Sequence, residues 1–122
     1  MLVCLACYEH RIASLLETAS HLALYSLEGG QVVPRGDLPA PDGGAQAMAG
    51  LLFSLGVRVL VCGGLDGHWE RAIREVGIMP KSWVGGDLDQ ILVALEQGHI
   101  STGSSRKSAV AKAGRAKKGL RP

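Results

Sequence analysis

The sequence predicts an α/β fold built on a mixed sheet, and three observations carry that expectation. The apolar runs at residues 2–7 and 59–62 are short and continuous, which reads as buried strand rather than surface helix. From residue 44 onward such runs alternate with helical stripes closed by glycine, the pattern of parallel strands joined by helices. Before that, Glu28-Gly29-Gly30 joins two extended segments as a hairpin, which makes one strand antiparallel.

Taken in order, residues 2–7 (LVCLAC) form a central strand. Residues 8–20 place Ile12, Leu15, Leu16 and Ala19 at helical spacing, in a segment that reads as a loop or one or two helical turns. The hairpin pairs residues 21–27 with 31–33. Residues 34–44 hold three prolines and three glycines and read as a surface loop. Ala45, Met48, Ala49, Leu52 and Phe53 share one helical face, and Gly56 ends that helix. Residues 58–77 give a strand, the break Gly63-Gly64, and a helix whose stripe is Trp69, Ala72, Ile73 and Val76, stopped by Gly77. Residues 78–84 read as an edge strand interrupted by Pro80. Asp87 is a good N-cap for the last helix, whose stripe is Leu88, Ile91, Leu92 and Leu95.

A chain of 122 residues supports one domain with a real core. Its net charge of +2 hides an asymmetry: residues 1–100 hold all 11 acidic residues and 6 of the 13 basic ones. Residues 101–122 hold the remaining 7 basic residues, no acid and almost no large apolar side chain, so a basic disordered tail is expected after a domain spanning 1–100. Three cysteines, an odd number, argue against a disulfide framework and for a reducing compartment. The N-terminal apolar run is too short for a signal peptide, and no stretch approaches the length of a membrane span. A cytoplasmic protein without membrane attachment is expected.

Chemistry concentrates where strands meet loops. Cys4 and Cys7 form a C-x-x-C, but residues three apart on a strand face opposite sides and cannot pinch one metal. Cys7 ends the first strand and Cys62 the fourth, strands commonly adjacent in doubly wound sheets, with His10 and His68 in the loops that follow. Two thiolates and two imidazoles suit a soft metal or an iron–sulfur species; the alternative is two core thiols and two solvated histidines. Gly63 and Gly64 precede a helix and could offer amides to an anion, though no G-x-G-x-x-G or P-loop pattern is present. Catalytic signatures are absent, so no enzyme is expected. The basic tail suits sequence-blind binding of nucleic acid or another polyanion by counterion release.

Several segments, in this order, resemble the dinitrogenase iron–molybdenum cofactor biosynthesis family. They are R-I-A at 11–13, E-G-G at 28–30, G-G-A-Q-A from 43, V-L-V-C-G-G at 59–64, E-V-G-I at 75–78 and G-D-L-D-Q-I-L at 86–92. The resemblance covers about residues 1–100. It implies a ribonuclease H-like three-layer α/β/α sandwich with a mixed five-stranded sheet, second strand antiparallel. It also implies a non-enzymatic protein that binds or carries an iron–sulfur cluster or an iron–molybdenum cofactor precursor, with metallocluster assembly proteins as partners. Family members commonly carry a His-Phe-Gly element after the first strand; residues 10–17 here lack it. Cluster ligands are therefore expected from Cys7, His10, Cys62 and His68, with Gly63 and Gly64 donating to bridging sulfides. A metal-free interaction module, docking partners through an acidic body and basic tail, is the alternative expectation.

Overall fold

Seven apolar or small residues in succession make Leu2–Tyr8 the central strand β1 of a computed structural model that describes residues 1–100. The basic tail expected at 101–122, with the polyanion binding expected of it, lies outside the described residues. After β1 the chain turns at Glu9 and His10 into a two-residue strand, β2 (Arg11–Ile12), and then a single 3-10 turn at Leu16–Thr18. The hairpin strands β3 (His21–Glu28) and β4 (Gln31–Pro39) follow. Three helices then alternate with two strands: α1 (Gly44–Leu55), β5 (Val57–Val61), α2 (Gly67–Glu75), β6 (Met79–Lys81) and α3 (Leu88–Glu96).

The sheet runs β4-β3-β1-β5-β6, with β2 pairing β1 off that path. β1, β5 and β6 are mutually parallel, while β3 is antiparallel to both β1 and β4. The expected five-stranded mixed sheet is thus present, and the small β2 makes a sixth strand. Alternation along β1 divides the core. Cys4 and Ala6 join the α1 and α2 residues Met48, Leu52, Ala72 and Ile73 on one face. Val3, Leu5 and Cys7 join Leu88, Ile91 and Leu95 of α3 on the other. This is the three-layer arrangement.

Two expectations need correction. The loop expected at 34–44 is largely strand, because β4 is an outer strand where a missing N–H and a bulge are tolerated. Tyr25 pairs Pro34 while Leu24 pairs Gly36, so Arg35 is the extra residue. Phe53, assigned to the core face of α1, is 64% exposed; in that last turn Leu52 is buried in the core and Leu55 packs against it. On the far edge Cys62 N–H donates to Lys81 O, so Pro80 directs its missing donor outward, away from β5. No helix among the described residues is long and apolar enough to cross a membrane.

Candidate functional site

The sheet register decides what the cysteines can do. Leu5 pairs Val61 across the β1–β5 ladder, so Cys62 lies beside Ala6 rather than beside Cys7. A one-residue offset in a pleated strand sends a side chain to the opposite face. Cys62 therefore packs in the core under α1 and α2, and Cys7 in the core under α3. Their strands are neighbours, as expected, but the shared thiol rim expected of Cys7 and Cys62 is not formed.

All three cysteines are free, and each is 0% exposed. Burial pushes the Cys7 thiol up to about 11, with the Asp37 carboxylate adding to the effect, and its Sγ donates to Leu5 O at 3.3 Å. Burial pushes Cys62 up to about 12, with Glu70 adding to it, and Cys4 is raised further still by burial. Metal ligation and nucleophilic attack both need the thiolate, so these sulfurs are set up as small core hydrophobes.

Gly63 and Gly64 are also differently employed than expected. Gly64 N–H donates to Ser14 O at 2.7 Å and Gly64 O accepts from Leu16 N–H at 2.9 Å, which zips residues 14–16 onto the end of β5. A Cβ on Gly63 would lie 2.3 Å from Ala13 O and 2.4 Å from Ser14 O. The pair permits a close backbone approach, and the Gly64 amide is already spent on a protein carbonyl. His68 sits exposed in the first turn of α2, where Asp66 caps the helix by accepting from Trp69 N–H at 2.9 Å; it lines neither cavity described below.

What the fold does bring together is a rim built from residues 9–14 and 83–90. Ile12 N–H donates to Gly86 O and Leu88 N–H to His10 O, so the two loops are stitched by backbone at 3.0 and 3.1 Å. Trp83 N–H donates to Gly63 O at 2.8 Å and Val84 N–H to Cys62 O at 3.0 Å, anchoring the second loop to β5. His21 braces the first loop from below: its Nε2 donates to Glu9 O at 2.8 Å, and its Nδ1 lies 2.9 Å from the Asp37 carboxylate.

Two concavities open along this rim. The smaller, about 210 Å³, is lined by residues that include Arg11, Ser14, Gly63, Gly64 and Trp83. The larger, about 480 Å³, is lined by Glu9, His10, Arg11, Gly86, Asp87 and Gln90. Arg11 and Gly86 border both, so they form one groove. His10 Nε2 lies 3.7 Å from Asp89 Oδ1, and donor atoms of His10, Asp87 and Asp89 all fall within 4.8 Å of one another. Of the expected ligands, only His10 reaches the groove. Sequence reasoning missed Trp83, Arg11, Ser14 and Asp89 as residues of the groove. The available signal was that the loops after β1 and β6 leave the same carboxyl rim, where ligands of open α/β sheets bind.

No family model matches the sequence, and no curated protein matches it. Solved structures do share the fold. The protein PH0822 is 14% identical, with a TM-score of 0.74 over 80% of this chain and 92% of its own. A "putative dinitrogenase" from Methanocaldococcus jannaschii is 13% identical, with a TM-score of 0.65 over 87% of this chain and 97% of its own. A "putative NifB protein" from Thermotoga, described as belonging to the DUF35 family, is 17% identical, with a TM-score of 0.58 over 88% and 98%. The fold of this chain is the fold of those proteins.

Proposed function

We propose that this is a small, non-enzymatic binding or carrier protein for an iron–sulfur or iron–molybdenum cofactor species, held in the rim groove as a preformed unit. The observation that carries the reading is the position of His10. It is the one expected ligand that the fold delivers, 71% exposed, to a cavity of about 480 Å³. The solved neighbours whose names refer to dinitrogenase and NifB support a link to metalloclusters. The residues present fit such a guest in part. An imidazole at the cavity wall can ligate iron, and Arg11 on the boundary offsets part of the negative charge that Glu9 and Asp87 bring to the same lining.

The thiols do not fit that role, being buried on opposite faces. A carrier that must release its cargo is served by one exposed imidazole better than by a closed thiolate cage. Catalysis finds less support: the side chains lining the larger cavity are exposed and lack the desolvated setting that acid–base chemistry exploits.

Anaerobic incubation with a preformed iron–sulfur cluster donor, followed by desalting, iron analysis and absorbance, tests the reading. Wild type and a Cys7→Ala/Cys62→Ala variant should retain equal iron, and His10→Ala should lose most of it. Loss of iron in the double cysteine variant alone would move the cluster to the thiols. Equal, negligible iron in all three proteins would sink the carrier reading.

A further inference from the structure

Two exposed rim residues, Glu9 and Trp83, have left-handed backbone, and of the two only the tryptophan also exposes a large apolar side chain. Trp83 adopts φ +62, a left-handed conformation that costs a bulky L-residue about 1–2 kcal/mol. The indole is 76% exposed, so burial returns little of that cost. Glycine would take the same backbone without strain, and Gly85 and Gly86 stand two and three residues on. The conformation is nevertheless locked, because the amides of Trp83 and Val84 are both tied to the end of β5. Strain that the surrounding structure imposes on a large exposed side chain marks a position kept for something other than packing.

The surroundings define the chemistry. Leu15 Cδ2 and Trp83 Cζ3 come within 2.7 and 3.2 Å of where a Gly64 Cβ would sit, so both side chains rest on that bare backbone while most of the indole stays exposed. Beside it is the cavity of about 210 Å³, with Ser14 and the Gly63–Gly64 backbone among its lining. Arg11 lies at the boundary with the larger cavity, is exposed, and makes no ion pair among the described residues. A largely exposed indole and a guanidinium without an ion pair, lining one cavity, are a combination that recognises flat rings bearing negative charge.

We infer that the Trp83 compartment binds a planar aromatic anion, its ring stacked on the indole and its charged group at Arg11. Mononucleotides and aromatic carboxylates share this chemistry. The inference goes beyond the cluster reading: the ring occupies the Trp83 end of the groove and not the His10 end, and Arg11 is the only side chain the two guests have in common. The absent phosphate-loop glycine pattern is no obstacle, because here the anion meets a side chain instead of helix amides.

The test uses the full chain carrying Trp69→Phe, which leaves Trp83 as the single tryptophan, excited selectively over Tyr8 and Tyr25, with far-UV circular dichroism confirming the fold. Without any metal present, AMP, adenosine, benzoate and inorganic phosphate are titrated separately. AMP should quench Trp83 saturably, with adenosine about 10-fold weaker or worse and phosphate silent. Arg11→Ala should reduce AMP to the level of adenosine. Saturable quenching by benzoate but not AMP would keep the compartment and assign it to carboxylates. No saturable response to either anion would overturn the inference and leave Trp83 as a protein-contact residue. Equal responses in the Arg11→Ala variant would overturn the anion assignment. Iron retention in the preceding experiment is read on separate samples, so either proposal can fail alone.

Discussion

The β1–β5 interior and the rim above it are in backbone contact, yet they are built on opposite terms. In the interior Cys4, Cys7 and Cys62 are fully buried, with neutral thiols and apolar neighbours on either side of the sheet. At the rim, backbone at Glu9 and Trp83 is left-handed, and a tryptophan, an arginine and a histidine face solvent. Residue type alone pointed to the first region, since cysteine is the side chain most readily associated with metal. Environment points to the second. Reactivity belongs to groups that keep access to solvent and partners, and a thiol sealed in a core has neither.

The contrast can be broken in graded ways. The largest effect is expected from Gly63→Ala, which joins the two regions: its Cβ would meet two backbone oxygens that cannot move aside. It should cost about 3 kcal/mol or more in urea unfolding, and a loss under about 1 kcal/mol would show that residues 13–14 detach easily from β5.

Next comes alkaline pH. The Cys7 thiol is raised from 9.0 to about 11 in the folded state, so the native protein holds its proton more tightly than the unfolded chain. That stabilisation is complete below pH 9 and is lost as pH rises through about 11, a fall of about 2–3 kcal/mol. Cys62, raised to about 12, extends the fall further. Urea midpoints from pH 8 to 11 should drop in the wild type and drop less in Cys7→Ala. At pH 8, native thiols should react with iodoacetamide far more slowly than thiols in urea, and prompt alkylation would contradict the sealed interior.

At the rim, Trp83→Gly removes a strained, exposed side chain and should leave stability within about 1 kcal/mol of wild type. A loss of several kcal/mol would make Trp83 a packing residue after all. Of similar small size, Asp66→Ala removes the cap on α2 and should cost about 1 kcal/mol in thermal or urea unfolding, without changing ligand retention.

Much of the architecture was legible because local signals agreed with the final packing. The apolar run of β1, the Gly29–Gly30 turn and the glycines after α1 and α2 each marked an element, and the stripes in α2 and α3 marked buried faces. β4 was not legible past Val33, since prolines that signal a loop in isolation are tolerated on an outer strand. The site was legible only in outline. The carboxyl rim was the right region, and His10 lies in it. Which way Cys7 and Cys62 point depends on strand register, a long-range property that neither residue's neighbours in sequence record. Trp83 escaped notice for a related reason. Its left-handed backbone is imposed by bonds to Cys62 and Gly63, some twenty residues earlier in the chain.

The outer strands have a consequence for how the molecule behaves in a crowd. A sheet with an open edge is a template on which a second chain can add hydrogen bonds without limit. Here one margin is interrupted by Pro34, Pro39 and the bulge at Arg35, and the other is three residues long with Pro80 facing outward. Neither margin offers an unbroken row of donors. Concentrated solutions of this protein should therefore resist fibril growth from the edges of the folded sheet.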